Sequence, residues 1–322
     1  MINQSYINYL LIVFLILISP ISSSILSDPT SCSSNIIKYS DHEKAQIPLS
    51  FDARLKWPSC ISGVRNQGIC SSCWAMTASS VLSDTMCIAS NKTVKKLLSP
   101  QYMVDCSHNC KPGNIYCNLG CKLGYLDLAI EYTISNGLVS DQCYPYKESE
   151  STTCPTKCNN QDNLSFYYGK SCKKFTTIED AQLEIMNHGS IIATLDIHSD
   201  LYTYKSGLYA ATGEYKEGHA ARVVGWGTLD TKPFWLLANS WGTDWGMNGY
   251  FLIERGQNIA MVETNLLGIE PDTSRIPESN VNDNSVSFRD APVEPHINAG
   301  TFLSPTTFIP LTILLSIVYY IL

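Results

Sequence analysis

Thirteen cysteines stand between Cys32 and Cys172, an odd number, so disulfide pairing must leave at least one thiol over. Whether they pair at all depends on the compartment, and the two ends of the chain speak to that. The uncharged apolar run from Tyr9 to Ile18, followed by Pro20 and the serines Ser22 to Ser24, reads as a secretory signal peptide over residues 1–24. No Lys or Arg precedes the run, so an uncleaved N-terminal anchor is the alternative. At the other end, Phe308 to Leu322 carry no charge but number only fifteen. A spanning helix needs about 20. The small residues Asn298-Ala299-Gly300 and the polar spacer Thr301 to Thr307 give the layout of a GPI-attachment signal with Asn298 as the acceptor, and a retained membrane helix is the alternative. Residues 271–307 are polar and Pro-spotted, a stalk and spacer rather than a core.

These ends, with the glycosylation sequons at Asn91 and Asn163, route the chain through the secretory pathway to the cell surface or a lysosome-like vesicle, attached to membrane by its C-terminus. There cysteines pair. The C-x3-C-x6-C-x3-C run of Cys106, Cys110, Cys117 and Cys121 would suggest zinc in a cytosolic protein; here it reads as disulfide-bonded. The 225 residues from Ile47 to Pro271 suffice for one large domain or two lobes around a cleft. A net charge of -7 argues against nucleic acid as a partner.

Cys70 and Cys73 in QGICSSCW raise the question of which thiol is spare. Trp74, Ala78, Val81, Leu82 and Met86 recur at helical spacing, which predicts an amphipathic helix opening at Cys73. Unpaired amides and the dipole at a helix start favour the thiolate, the attacking form. A nucleophilic thiol also needs a base, the base an orienting group, and the developing oxyanion hydrogen-bond donors. His219, at the mouth of the β-rich run Ala220 to Val224, Asn239, at the end of a second apolar run, and Gln67 supply those roles. His42, His108, His188, His198 and His296 read as structural.

The blocks QGICSSCW, EGHAARVVGWG and ANSWGTDWG resemble the three active-site segments of papain-like cysteine proteases, and the resemblance covers about residues 47–270. In that family the histidine and asparagine follow the cysteine by about 130–150 residues. Here His219 follows Cys73 by 146 and Asn239 by 166. IPLSFDARLKWPSC, DLYTYKSGLY and WLLANSWGTDWGMNGYF are similar to cathepsin B in particular. The resemblance implies an α+β, two-lobed papain-like fold, with a helical left lobe carrying Cys73, a β-barrel right lobe carrying His219 and Asn239, and the active-site cleft between them. It implies a cysteine endopeptidase acting as a monomer on polypeptides, without cofactor or metal. Cys73 is the nucleophile, resting as a thiolate beside a His219 imidazolium; Gln67 and the Cys73 amide hold the oxyanion; Asn239 orients the imidazole; Trp241 shields their bond. Cys70 is structural and pairs with Cys121, Cys60 with Cys87, and Cys143 with Cys158, leaving Cys106, Cys110, Cys117 and Cys154 to form two more bonds. Cys32 and Cys172 either pair with each other or stay free.

Several positions depart from the family pattern. Ser71 replaces a glycine in the wall of the pocket for the residue before the cleaved bond, and Lys122-Leu123-Gly124 retains only Gly124, which pairs with substrate backbone. The interval from Cys143 to Cys154 is too short, and lacks the adjacent histidines, for the insert that makes cathepsin B clip C-terminal dipeptides. Thr264 aligns with the acid at the base of its second pocket, which implies an apolar preference there. Residues 25–46 form a pro-segment too short to fill the cleft. Two rival readings share the scaffold: a surface-tethered binding protein, which loss of any of the four residues would favour, and a peptide ligase, which they do not separate from a hydrolase.

Overall fold

The structure, a computed structural model, describes residue 32, residues 35–111, residue 113 and residues 116–277. The leader, the acceptor Asn298, most of the stalk, His296 and the apolar tail lie outside the described residues. Among the described residues no helix is long and apolar enough to cross a membrane.

Helix α1 (Cys73–Ala89) is the axis of the molecule. It is not the amphipathic helix its spacing predicts: every residue from Cys73 to Cys87 is buried. A helix enclosed on all sides has no solvent face to reserve for polar groups. Its hydroxyls are satisfied internally instead, Ser83 Oγ donating to the Ser79 carbonyl (2.6 Å) and Thr85 Oγ1 to that of Val81 (3.0 Å). Helices α2 (Pro100–Cys106) and α3 (Leu126–Ser135) pack on it to complete one lobe. Ser99 starts α2, accepting from the Tyr102 N–H with Pro100 in the first turn.

The second lobe is a sheet of β1 (Phe51–Asp52), β2 (Gly169–Phe175), β3 (Ile191–His198), β4 (Leu208–Tyr209), β5 (Tyr215–Leu229), β6 (Lys232–Ala238), β7 (Tyr250–Glu254) and β8 (Leu266–Pro271), flanked by α4 (Ile178–His188). The strands run in the order β2-β8-β3-β5-β6-β7-β4, with β1 paired to β5. The ends of that order do not pair, so the expected barrel is an open, curled sheet. Gly225 lets β1 approach: a Cβ there would stand 2.3 Å from the Phe51 carbonyl oxygen. Strand alternation divides the two cores. Ile191, Ala193, Leu195 and Ile197 of β3 enter the sheet-lobe core, while Ile192 enters the core around α1.

Residues on both flanks of the 47–270 region are tied to the sheet lobe. Pro271, read as the start of the stalk, still pairs with Gly169, and Arg275 stacks on the Tyr168 ring. At the other end, the segment before Ile47 is tied to the sheet lobe. Cys32 is bonded to Cys172, Ile36 bridges to Lys174, the Tyr39 hydroxyl donates to Glu184 (2.8 Å), and Lys44 pairs with Asp180 (2.9 Å).

Candidate active site

Twelve cysteines pair, as Cys32–Cys172, Cys60–Cys87, Cys70–Cys121, Cys106–Cys154, Cys110–Cys117 and Cys143–Cys158, and Cys73 is free. The four cysteines with zinc-like spacing are thus all consumed in disulfides. The Cys70–Cys121 bond, with the Ser71 N–H donating to the Cys121 carbonyl (2.9 Å), joins the loop before α1 to the one that forms the facing rim.

A cavity of about 210 Å³ opens where the lobes meet. Gln67, Ser71, Cys73, Gly124, His219 and Trp241 all line it. Gly124 has to be glycine, because a Cβ would lie 2.3 Å from the Trp74 ring. Thr264 does not line the cavity. It is exposed on a turn, its hydroxyl bonded to Asn258 (3.1 Å). Asn91 and Asn163 are exposed, far along the chain from these segments. Among the other described histidines, His108 and His198 bond to backbone carbonyls at 2.8 Å and His42 to Gln46.

His219 lies within β5, not at its mouth, and its Nε2 is 2.8 Å from Asn239 Oδ1. The same oxygen accepts the Ser240 N–H (2.8 Å), which identifies it as the acceptor end of the amide. Nε2 therefore carries the proton in the neutral ring, and Nδ1 holds the lone pair. Trp241 covers the ring, their centroids 5.2 Å apart, and is itself stacked on Tyr202 (5.4 Å). Gln67 is positioned by three contacts. Its Nε2 donates to the Cys70 carbonyl (3.0 Å), its Oε1 accepts from Ser240 Oγ (2.6 Å), and its N–H donates to the Ser240 carbonyl (2.7 Å). An amide nitrogen has two hydrogens, so one remains for another acceptor.

Burial pushes the Cys73 thiol up to about 11; the backbone amides of Ala220, Trp74 and Cys73 oppose that rise, and the Glu217 carboxylate adds to it. Burial likewise pulls His219 down to about 4, against its bond with Asn239. Desolvation thus works against a lone charge on either group. A resting thiolate–imidazolium pair, as the resemblance implies, must be held by the attraction between its members and by those amides.

Two contributors escaped the sequence reading. Thr77, one turn after Cys73, donates to the Ala220 carbonyl (3.1 Å) and so ties the cysteine's helix to the strand position next to His219. Glu217 lines the cavity from β5. The signals that would have found them are the i+4 helical spacing from Cys73 and the i−2 strand spacing from His219.

A family profile described as "Papain family cysteine protease" matches residues 47–273. Cathepsin B-like cysteine proteinase 3 of Caenorhabditis elegans is 37% identical over 247 residues, 69% of this chain and 65% of the relative, so just under two thirds of that protein is spanned. Cathepsin B-like cysteine proteinase 4 of the same organism is 35% identical over 274 residues, 73% of this chain and 78% of the relative. The solved proCathepsin B S9 from Trypanosoma congolense superposes with a TM-score of 0.67 at 32% identity, covering 74% of this chain and 82% of that one. Fold, cleft and relatives agree, and the chain belongs to the papain family of cysteine proteases, alongside the cathepsin B-like proteinases.

Proposed function

We propose that the protein is a cysteine endopeptidase in which Cys73, His219, Asn239 and Gln67 perform the chemistry. The observation that carries this reading is that the free thiol, Cys73, shares a cleft with an imidazole whose other nitrogen is committed to an asparagine. With the proton on His219, the sulfur attacks a peptide carbonyl. The second Gln67 N–H and the Cys73 N–H stabilise the oxyanion. The carbon–nitrogen bond breaks, and the leaving amine takes the proton from His219, leaving a thioester. Water then adds to the thioester, His219 takes its proton, and the carbon–sulfur bond breaks to restore the thiolate and release the acid. Trp241 keeps solvent from the His219–Asn239 bond, which strengthens it.

The placement of residues 143–154 supports internal cleavage. They lie against the helical lobe, where the Tyr146 hydroxyl donates to the Gln67 carbonyl (2.9 Å) and Glu150 accepts the Cys121 N–H (2.6 Å). None of them lines the cleft cavity, and none is a histidine that could receive a terminal carboxylate. A peptide with an amidated C-terminus is therefore cut about as well as its free-acid twin; strong dependence on the free carboxylate overturns the endopeptidase assignment. The six disulfides support an exported, oxidising location. The direct test is an epoxide thiol inactivator with the adduct mapped by mass. We expect labelling at Cys73 at acidic and neutral pH, lost there in His219→Ala; an inert Cys73 refutes the function.

A further inference from the structure

Glu217 and His219 are two residues apart on β5, in regular register with β3: Ile197 stands opposite Glu217, and Leu195 opposite His219. Alternation along a strand puts Glu217 and His219 on the same face, and cross-strand pairing adds Ile197 to it. Glu217, His219 and Ile197 all line the cavity that holds Cys73. The carboxylate is positioned. The Tyr202 hydroxyl donates to its Oε1 (3.1 Å), and the Tyr202 ring stacks on Trp241, which covers His219. The adjacent Lys216 is engaged with Glu214 (2.7 Å) rather than with Glu217. Lys122 faces this wall from the helical lobe's side of the cavity.

We propose that Glu217 is a specificity-determining residue that receives a basic side chain of the substrate beside the scissile bond, a reading that rests on the cysteine-protease function above. The chemistry suits lysine or arginine: Glu217 is exposed at the rim of the cleft, and its carboxylate, with Oε1 held by Tyr202, meets a charge that reaches along the wall from the scissile bond. A leucine there gains no such contact. A glutamate would be repelled.

The test uses peptide substrates that differ only in carrying Arg, Leu or Glu at one of the two positions before the cleaved bond. At one position wild-type protein favours Arg over Leu in kcat/KM, and Glu217→Gln lowers that ratio by about 3- to 5-fold, the range for an ion pair at an exposed rim. Glu217→Lys reverses the order, placing Glu above Arg. Because the carboxylate also opposes the thiolate, Glu217→Gln moves alkylation of Cys73 to lower pH. An Arg-to-Leu ratio indifferent to both substitutions, in protein whose Cys73 still takes the epoxide, overturns this proposal alone. A wild-type protein inert to the epoxide removes the protease reading and this one with it.

Discussion

His219 can act as a base toward Cys73 only through Nδ1, because its Nε2 proton is committed to Asn239. The tautomer is therefore set two steps away, by the Ser240 N–H that fixes which end of the Asn239 amide faces the ring. In Asn239→Ala the ring loses its orienting partner, and kcat/KM falls about 10- to 100-fold, the cost of a misplacement of the order of an ångström. Labelling of Cys73 persists, since the thiol and the ring both remain. The charge state has its own signature. A lone thiol pushed up to about 11 has an anion fraction that declines as pH falls below that value, so His219→Ala should alkylate only in alkaline solution. Wild-type protein, if the paired charges hold each other, alkylates well below neutrality; a single alkaline rise in both rules out the resting ion pair.

The site is assembled by contacts between α1 and β5, and the hydrogen bond from Thr77 to Ala220 is one tie between them. Another is a buried cluster three turns along the helix. Asp84 accepts from the Ser62 N–H and hydroxyl (2.8 and 2.7 Å) and from Ser190 (2.6 Å), and pairs with Arg222 of β5, which also donates to the Ser62 and Gly63 carbonyls. Asp84 and Arg222 are 0% and 4% exposed, so neither charge has water to fall back on. Removing one partner of such a pair costs about 3–5 kcal/mol. Asp84→Asn should lower the melting temperature by roughly 10 °C, as that loss implies for a domain of this size, and a change under about 2 °C would mean the cluster is dispensable. The sequence reading placed α1 correctly but mistook its surroundings. Its apolar spacing is real, yet its serines and threonines read as a solvent face until the facing lobe is known to cover them.

At the scale of the whole molecule, residues 35–46 form a strap on the sheet lobe: they run along β2 and α4, and none of the described residues before Ile47 lines the cavity. A nick between Gln46 and Ile47 should leave the piece attached in non-reducing conditions, through Cys32–Cys172, and release it on reduction or in Cys32→Ser. Dissociation from the nicked, unreduced protein would refute the tether. Its noncovalent hold is acid-sensitive. Burial alone would raise the Asp180 carboxyl, but Thr177, the Tyr39 N–H and Lys44 together bring it below its ordinary value. A carboxyl lowered by folding adds stability above the ordinary carboxylate range that is lost as pH drops through the folded value. Exchange of the Tyr39 amide should therefore quicken only in acid below that range.

Much of the site was legible because its chemistry is written in local blocks: QGICSSCW, EGHAARVVGWG and ANSWGTDWG each carry a residue type with a distinct role, and an odd cysteine count requires a spare thiol. The sequence by itself determined the family, and it singled out one spare thiol and the residues flanking it, since these depend on side-chain identity and short spacing. Only the tertiary structure decided which protons and charges face one another. The orientation of Asn239, the carboxylate of Glu217 in the cleft, the exclusion of Thr264 from it and the path of the strap all depend on how distant segments pack, and electrostatic and hydrogen-bond energies change over a few ångströms that no spacing along the chain encodes.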